Sequence, residues 1–195
     1  MKYLLNKKNL CLFFIIINLC GCTGYKFGLR REFPGGAQKV AVPTFENKTY
    51  EAGIENAFTQ ALKYELLKSG HVRIVKVEEA EAIIQGNVAS FIVTPSGSTK
   101  KYNFQNNSQR GEKLLETGYI ATVSLDIQVI SQKNQEVLWS YSLSKSEAYS
   151  VNPDKLTDNE NDQPHLSNEI NQREAIRELA ENMMEEVHEQ LFMGF

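Results

Sequence analysis

"YIATVSLDIQVIS", residues 119–131, alternates apolar with polar residues, and this alternation decides the fold. Its apolar or aromatic positions are Tyr119, Ala121, Val123, Leu125, Ile127 and Val129. After a turn near residues 133–135, "EVLWSYSLSKSEAY" (136–149) continues the pattern. Serines there alternate with Val137, Trp139, Tyr141 and Leu143. Because successive side chains of a strand point to opposite faces, the two segments predict an antiparallel pair with one buried and one solvated face.

Two amphipathic helices are predicted to cover the buried face. Residues 53–69 have apolar residues at helical spacing and are followed by Gly70, a favourable residue after a helix end. Residues 169–191 have a second apolar stripe with glutamates opposite. The first stripe consists of Ile54, Ala57, Phe58, Ala61, Leu62 and Leu66. The second consists of Ile176, Leu179, Ala180, Met183, Met184, Val187 and Leu191.

The remaining strands complete the sheet. Residues 38–45 and 71–77 each read as a short strand on either side of the first helix, which predicts a right-handed crossover with the two strands parallel. Residues 82–94 read as a longer strand. The sequence therefore predicts an α/β fold, a two-layer sandwich with a mixed β-sheet of four to five strands and two α-helices packed on one face.

Two polar stretches interrupt this pattern. Residues 95–118 join two strands through either a long polar loop or an extended hairpin tip. Residues 150–168 are acidic and nearly free of apolar residues, which is typical of a mobile segment. A compact domain seldom has such a long irregular loop without a use, but a plain solvated linker is the alternative for residues 150–168.

The N-terminus reads as a lipoprotein signal peptide. Lysines precede an apolar run of roughly half the length that a bilayer core requires, so a permanent transmembrane helix is not expected. The run ends in Leu19-Cys20-Gly21-Cys22, which matches a bacterial lipobox and predicts lipidation of Cys22. The alternative is an ordinary cleaved signal with a leftover cysteine; a redox or metal pair would need CxxC spacing. The predicted organisation is a signal peptide (1–21), a lipidated tether (22–37) and a single α/β domain (38–195).

The cysteines and the net charge limit the possible compartment and partners of the protein. Cys11 and Cys20 would be removed with the signal, so the mature chain would have neither a free thiol nor a disulfide, as suits an oxidising periplasm. The mature chain would have 18 basic and 24 acidic residues, a net charge of −6 that disfavours general binding to nucleic acid. Residues 23–50 and 95–118 are nevertheless net basic, so an anionic partner should meet these segments.

Catalytic patterns are missing from the sequence. The three histidines, His71, His165 and His188, fall on a predicted strand, loop and helix without the spacing of metal ligands. Neither a GxSxG motif, a phosphate loop nor a dinucleotide fingerprint occurs. We therefore expect a protein without catalytic residues, metal or cofactor.

In this order of elements the chain resembles the LPS-assembly lipoprotein (LptE) family. The resemblance begins at the lipobox with Cys22, Gly24 and Tyr25. It continues through "KVAVPTFENKT", with its Pro-x-Phe-x-Asn ending, and the helix "AGIENAFTQALKYEL". The alternating "EVLWSYSLSKSEAY" and the terminal "REAIRELAENMMEEV" complete it.

The resemblance implies an outer-membrane lipoprotein that sits in the lumen of the LptD β-barrel as a plug and assembly factor and binds lipopolysaccharide. Thr23 after the lipidated cysteine agrees with sorting to the outer membrane. The cations offered to lipid A phosphates are Lys100, Lys101, Arg110 and Lys113, although a merely solubilising loop would look similar. The alternative function is a periplasmic ring-forming adaptor or secretion-channel lipoprotein, and an envelope hydrolase would need a catalytic set that the sequence lacks.

Overall fold

The structure, a computed structural model, describes residues 32–103, 111–151 and 164–193. Several sequence-based predictions lie outside these residues: the signal peptide, Cys22 with most of the tether, Arg110, and most of the acidic segment 150–168. The boundaries proposed for the signal peptide, the tether and the domain therefore remain predictions.

The described residues form one mixed sheet with two α-helices, which confirms the fold class. The strands are β1 (Lys39–Ala41), β2 (Glu46–Asn47), β3 (Arg73–Ile74), β4 (Ala82–Asn103), β5 (Gly111–Ser131) and β6 (Val137–Ser150). The helices are α1 (Ile54–Ser69) and α2 (Pro164–Met193). The strand order is β3-β1-β4-β5-β6, and β2 adds a sixth strand that pairs with β4 beyond the end of β1. This short strand was not predicted.

The first crossover has the predicted parallel arrangement, but with very short strands. β1 pairs in parallel with β3, with Lys39 opposite Arg73, and α1 connects the two sides of the crossover. Gly53 and Gly70 bound α1 with φ angles of 88° and 65°, a left-handed conformation that glycine adopts without steric cost. Gly70 N–H donates to the Leu66 carbonyl at 3.2 Å, which ends the helix where the sequence predicted.

The core lies between the sheet and the two helices. The predicted inward residues of β5 from Ala121 to Val129 are all buried, as is the whole predicted stripe of α2. In β6 the pattern shifts at its first residue, because Val129 pairs with Trp139 while Ile130 pairs with Val137. Leu138 is the extra residue of this bulge and packs against the core, whereas Val137 is 55% exposed. The prediction that Val137 points inward is therefore wrong.

Residues 95–118 form an extended hairpin, not a loop, in their described part. β4 and β5 remain paired out to Asn103 and Gly111, whereas β6 ends at Ser150 opposite Gly118. The two-stranded extension beyond this level, residues 97–103 with 111–118, is named the arm. Register shifts flank Gly97 at its base, so the arm is set off from the sheet by irregular pairing.

Among the described residues, neither helix combines the length and apolar content needed to span a bilayer.

Candidate functional site

The arm brings three of the four predicted cationic positions into one two-stranded element. Lys100 and Lys101 lie on β4 and Lys113 on β5, while Arg110 lies outside the described residues. Lys101 and Lys113 occupy directly opposite positions of the register, and Lys100 is opposite Leu114. Like charges at opposite positions destabilise an antiparallel pair.

The outer face of the sheet, opposite the helices, has rows of hydroxyl groups across β5 and β6. Ser142 Oγ donates to Asp126 Oδ1 at 2.6 Å, and Ser124 Oγ donates to Ser144 Oγ at 3.1 Å. A further hydroxyl pair on the same face joins Thr122 and Ser146 at 2.8 Å. The predicted serine row of β6 is thus a real feature of the surface. Because these groups bond to one another, the face can meet a polar partner without leaving them unpaired.

An open cleft of about 670 Å³ lies on this outer face beside β2. Its lining is rich in polar side chains: Thr44, Glu46, Gln85, Asn87, Gln128 and Ser140. Asn87 Oδ1 is buried and has no hydrogen-bond partner among the described residues. Sequence reasoning did not find this cleft, because its two sides are brought together by the pairing of β2 with β4.

A charged network ties the edge strand β6 to α2. Glu186 accepts a hydrogen bond from Tyr141 Oη at 2.7 Å, and Lys145 Nζ lies 2.7 Å from its other carboxylate oxygen. Lys145 first, and then the Tyr141 hydroxyl, hold the pKa of Glu186 below its usual value. The same bond to Glu186 raises the pKa of Tyr141. The network links the edge strand to the helix, and the part of the chain that is described has no group of His, Cys, Asp and Glu side chains able to hold a metal ion.

His71 and His188, which were predicted on separate elements, lie close to each other at one end of the sandwich. The rings of His71 and His188 each lie 4.9 Å from the ring of Phe192 and 6.4 Å from each other. Their neighbours in this cluster are aromatic, and Phe33 packs on Phe192 from the other side at 5.9 Å. No local sequence signal could reveal the pair, since it joins a loop to a distant helix. The cluster reads as packing, not as a metal centre.

The Pro-x-Phe-x-Asn segment is structural. The Phe45 ring covers Gly86 on β4, and Phe45 N–H donates to the buried Thr59 hydroxyl at 3.0 Å. Asn47 Nδ2 donates to the Glu51 carbonyl at 2.8 Å and so shapes the turn that precedes α1. The segment therefore fixes the connection between β2 and α1.

The described residues form a helix-backed sheet with a polar outer face and a hairpin arm that includes three lysine positions. The chain belongs to the LptE lipopolysaccharide-assembly family, whose model matches residues 37–193. Family membership confirms the resemblance and makes the chain a lipopolysaccharide-assembly lipoprotein of the cell envelope and not an enzyme.

The comparison with solved structures found matches from several bacteria. A PelC dodecamer from Paraburkholderia phytofirmans is 13% identical over 80% of this chain and 88% of that chain, with a TM-score of 0.47. A protein from Xanthomonas campestris is 9% identical over 80% and 85%, also with a TM-score of 0.47. A minor lipoprotein from Acinetobacter baumannii is 10% identical over 78% and 94%, with a TM-score of 0.40. Comparison with curated proteins found no match.

Proposed function

We propose that this chain is an outer-membrane lipoprotein subunit of the lipopolysaccharide translocon. In this role it plugs an LptD-like β-barrel, assists the assembly of that barrel, and binds lipopolysaccharide for insertion into the outer leaflet. Family membership supports the process. The feature of this molecule that supports it most is the arm, because it offers opposed cations on an element that extends past the sandwich.

The arm is the proposed lipopolysaccharide contact. Phosphate groups of lipid A form charge-assisted hydrogen bonds with lysine and arginine. Lys101 and Lys113 occupy opposite positions of the register, with Lys100 next in the chain. Arg110 is proposed to contribute a fourth cation. The rest of the molecule is acidic overall, so an anionic lipid would be directed to the arm.

The outer face of the sheet is the proposed contact with the barrel lumen. The interior of a large membrane barrel is polar and wet, and a plug needs a surface of matching polarity. The hydroxyl rows of β5 and β6 and the amide-rich cleft beside β2 supply such a surface. Asn87 Oδ1 in the cleft offers an unsatisfied acceptor to a donor from the barrel.

Lipidation of Cys22 is the proposed anchor. Nine residues lie between Cys22 and Glu32, where the described chain begins, so these two positions are at most about 35 Å apart. Two acyl chains give firm membrane binding where a single chain is marginal. Cys22→Ala should therefore leave an unlipidated protein that no longer fractionates with the outer membrane. Unchanged acylation and fractionation of this variant would contradict the anchor.

Lipopolysaccharide binding is tested by removing the charge of the arm. One variant replaces four residues by Ala: Lys100, Lys101, Arg110 and Lys113. A matched control removes the same charges from the sandwich by replacing four others: Lys63, Arg73, Lys76 and Lys133. We expect the arm variant to bind lipopolysaccharide at least about tenfold more weakly and the control to bind normally, with little change in thermal midpoint for either. Equal binding by the two variants would refute the role of the arm.

The barrel partner is tested by purifying the tagged protein from native membranes under mild detergent. A large β-barrel protein should co-purify in stoichiometric amount. Recovery of the protein without a barrel would contradict the plug. Homo-oligomers that lack lipopolysaccharide binding would instead favour the ring-forming adaptor.

A further inference from the structure

β6 is an edge strand whose outer side is open in the described part of the chain. The strand pairs with β5 on one side, and no described strand pairs with the other. The side chains of Tyr141 and Lys145 reach Glu186 and Asn182 on the flank of α2, away from its buried stripe. Of the described residues, α2 thus lies inward of most of the strand and reaches its outer edge at Ser150, through Asn171.

The hydrogen-bond pattern shows which residues face this open edge. Ser150 is opposite Gly118, and the next residues along the two chains are Val151 and Thr117. Val151 N–H donates to the Thr117 carbonyl at 3.0 Å. In an antiparallel ladder this makes Ser150 a residue whose own N–H and C=O point away from β5. Pairing with β5 is regular from Trp139 to Ser150, so the even-numbered residues of this stretch direct their backbone groups to the edge. At the end of the strand, the Ser150 carbonyl already accepts a hydrogen bond from Asn171 Nδ2 of α2 at 2.7 Å.

Two charges lie on the helix side of this strand. Lys145 is satisfied by Glu186, but Glu147, two residues further on, has no hydrogen bond or ion pair among the described residues. Glu147 is half-buried, so its carboxylate favours a cation brought by whatever covers the edge.

We propose that β6 pairs with β6 of a second copy of this chain, antiparallel about a two-fold axis through Ser146. This register places Lys145 opposite Glu147 of the other copy, and Glu147 opposite its Lys145. On the same face, Leu143 meets Tyr149 in both directions. The even-numbered residues of both strands then form about eight reciprocal backbone hydrogen bonds across the new ladder, with the Ser150 carbonyl of each copy left to Asn171.

Charge selects this register among its neighbours. Centring the axis one residue earlier places Lys145 opposite itself, and one residue later places Glu147 opposite itself; both arrangements oppose like charges. Centring it two residues away in either direction sets both charged residues opposite apolar or aromatic ones. An axis that passes between two residues would place odd-numbered residues opposite even-numbered ones. The serines of one strand would then lie on the helix side of the sheet. Only the axis at Ser146 pairs each charge with its opposite.

This strand pairing does not depend on the function proposed above. It applies to copies of the chain that are not bound inside a barrel. The contact is isologous, so it closes at two copies and does not extend into a ring. A lumen that accepts one copy would exclude the second, and partner binding would then compete with self-pairing.

A disulfide across the two-fold axis tests the register. Ser146→Cys would place two cysteines at a hydrogen-bonded pair, about 5.5 Å apart between Cα atoms, within the range that a disulfide bridges. Ser142→Cys is the matched control, since it is equally exposed on the same face but would lie about 27 Å from its counterpart. Both variants are made in the full chain, oxidised in membranes, and compared with the wild-type chain on non-reducing gels.

We expect a disulfide-linked dimer from Ser146→Cys and only wild-type background from Ser142→Cys. Equal cross-linking of both variants, or none from Ser146→Cys, would overturn the proposal.

A charge exchange gives a second test in the Ser146→Cys background. Lys145→Glu makes both positions of the strand acidic, and Glu147→Lys makes both basic, so each variant alone should lose the dimer through repulsion. A mixture of the two, with distinguishable tags, should restore it as a mixed dimer. Cross-linking of either variant alone at the original level would refute the pairing of Lys145 with Glu147. Thermal unfolding of each variant verifies that it is folded.

Discussion

Gly86→Ala should destabilise the protein through one identified contact. A Cβ atom at Gly86 would lie 2.4 Å from Cδ2 and Cε2 of Phe45 and 2.5 Å from Cζ. Ordinary contacts begin near 3.4 Å, so the ring would have to move by about 1 Å. Phe45 is only 3% exposed, and its N–H is held by the Thr59 hydroxyl, which leaves the ring little freedom to shift.

The magnitude follows from two opposing effects. Forcing an extra methyl group into a packed core costs about 2–3 kcal/mol. Gly86 does not have a positive φ, so Ala also restricts the unfolded chain, which returns about 0.5–1 kcal/mol. The net loss of unfolding free energy is about 1–2.5 kcal/mol. For a chain of this size the thermal midpoint should fall by about 2–10 °C.

Urea denaturation followed by Trp139 fluorescence measures this loss, with an unchanged m-value as a check that the denatured state is the same. Phe45→Leu in the Gly86→Ala background should recover at least about 1 kcal/mol relative to the sum of the single changes, because the smaller side chain relieves the clash. Gly97→Ala is a control on the same strand, since its nearest neighbour is the Thr117 hydroxyl at 3.1 Å. Strict additivity, or a Gly86→Ala variant as stable as wild type, would refute the contact as the cause.

Two further predictions concern the helix side of the sheet. Leu179→Asp should lower the free energy of unfolding by at least about 3 kcal/mol because it buries an unpaired charge. Leu67→Asp is the control: its side chain is 65% exposed, so the free energy of unfolding should change by less than about 0.5 kcal/mol. Chemical denaturation measures both, and equal effects would show that the core is wrongly assigned. Glu186→Gln should cost at most about 1 kcal/mol at neutral pH, since Lys145 and Tyr141 hold the pKa of Glu186 below 4.5 in the folded state and the pair is partly exposed to solvent. This stabilisation is present above the unfolded pKa and is lost as pH falls, so the deficit of the variant should shrink below about pH 4.5, and a deficit that grows on acidification would contradict it.

Periodicity predicted the sandwich because burial enforces it. The two helical stripes and the inward residues of β5 all face one core, so each had to be apolar at the correct spacing. The failure at Val137 has the same origin. Both Val137 and Leu138 are apolar, and period two alone cannot show which of them follows a bulge. The Leu138 side chain lies close to Gly35, and such a tertiary contact has no local sequence signal.

The candidate site was less accessible to sequence reasoning. Residues 95–118 are polar and rich in Gly, Ser and Asn, a composition that fits a loop as well as a hairpin. Their pairing continues the antiparallel pairing of the buried part of β4 and β5. The sequence could name the lysines of the arm, but not that Lys101 and Lys113 are opposite each other. The cleft containing Asn87 and the open edge of β6 depend on strand order, which no local pattern encodes.

The residues that identify the family and those proposed to carry its function lie in different parts of the molecule. Phe45 and Asn47 of the Pro-x-Phe-x-Asn segment act through packing and turn geometry, so changing them would remove fold and function together. A loss of lipopolysaccharide transport in such variants would say nothing about the ligand. The arm extends beyond the end of β6, where β4 and β5 pair only with each other among the described strands. Charge removal from the arm, with the sandwich stability held constant, is therefore the change that separates binding from folding.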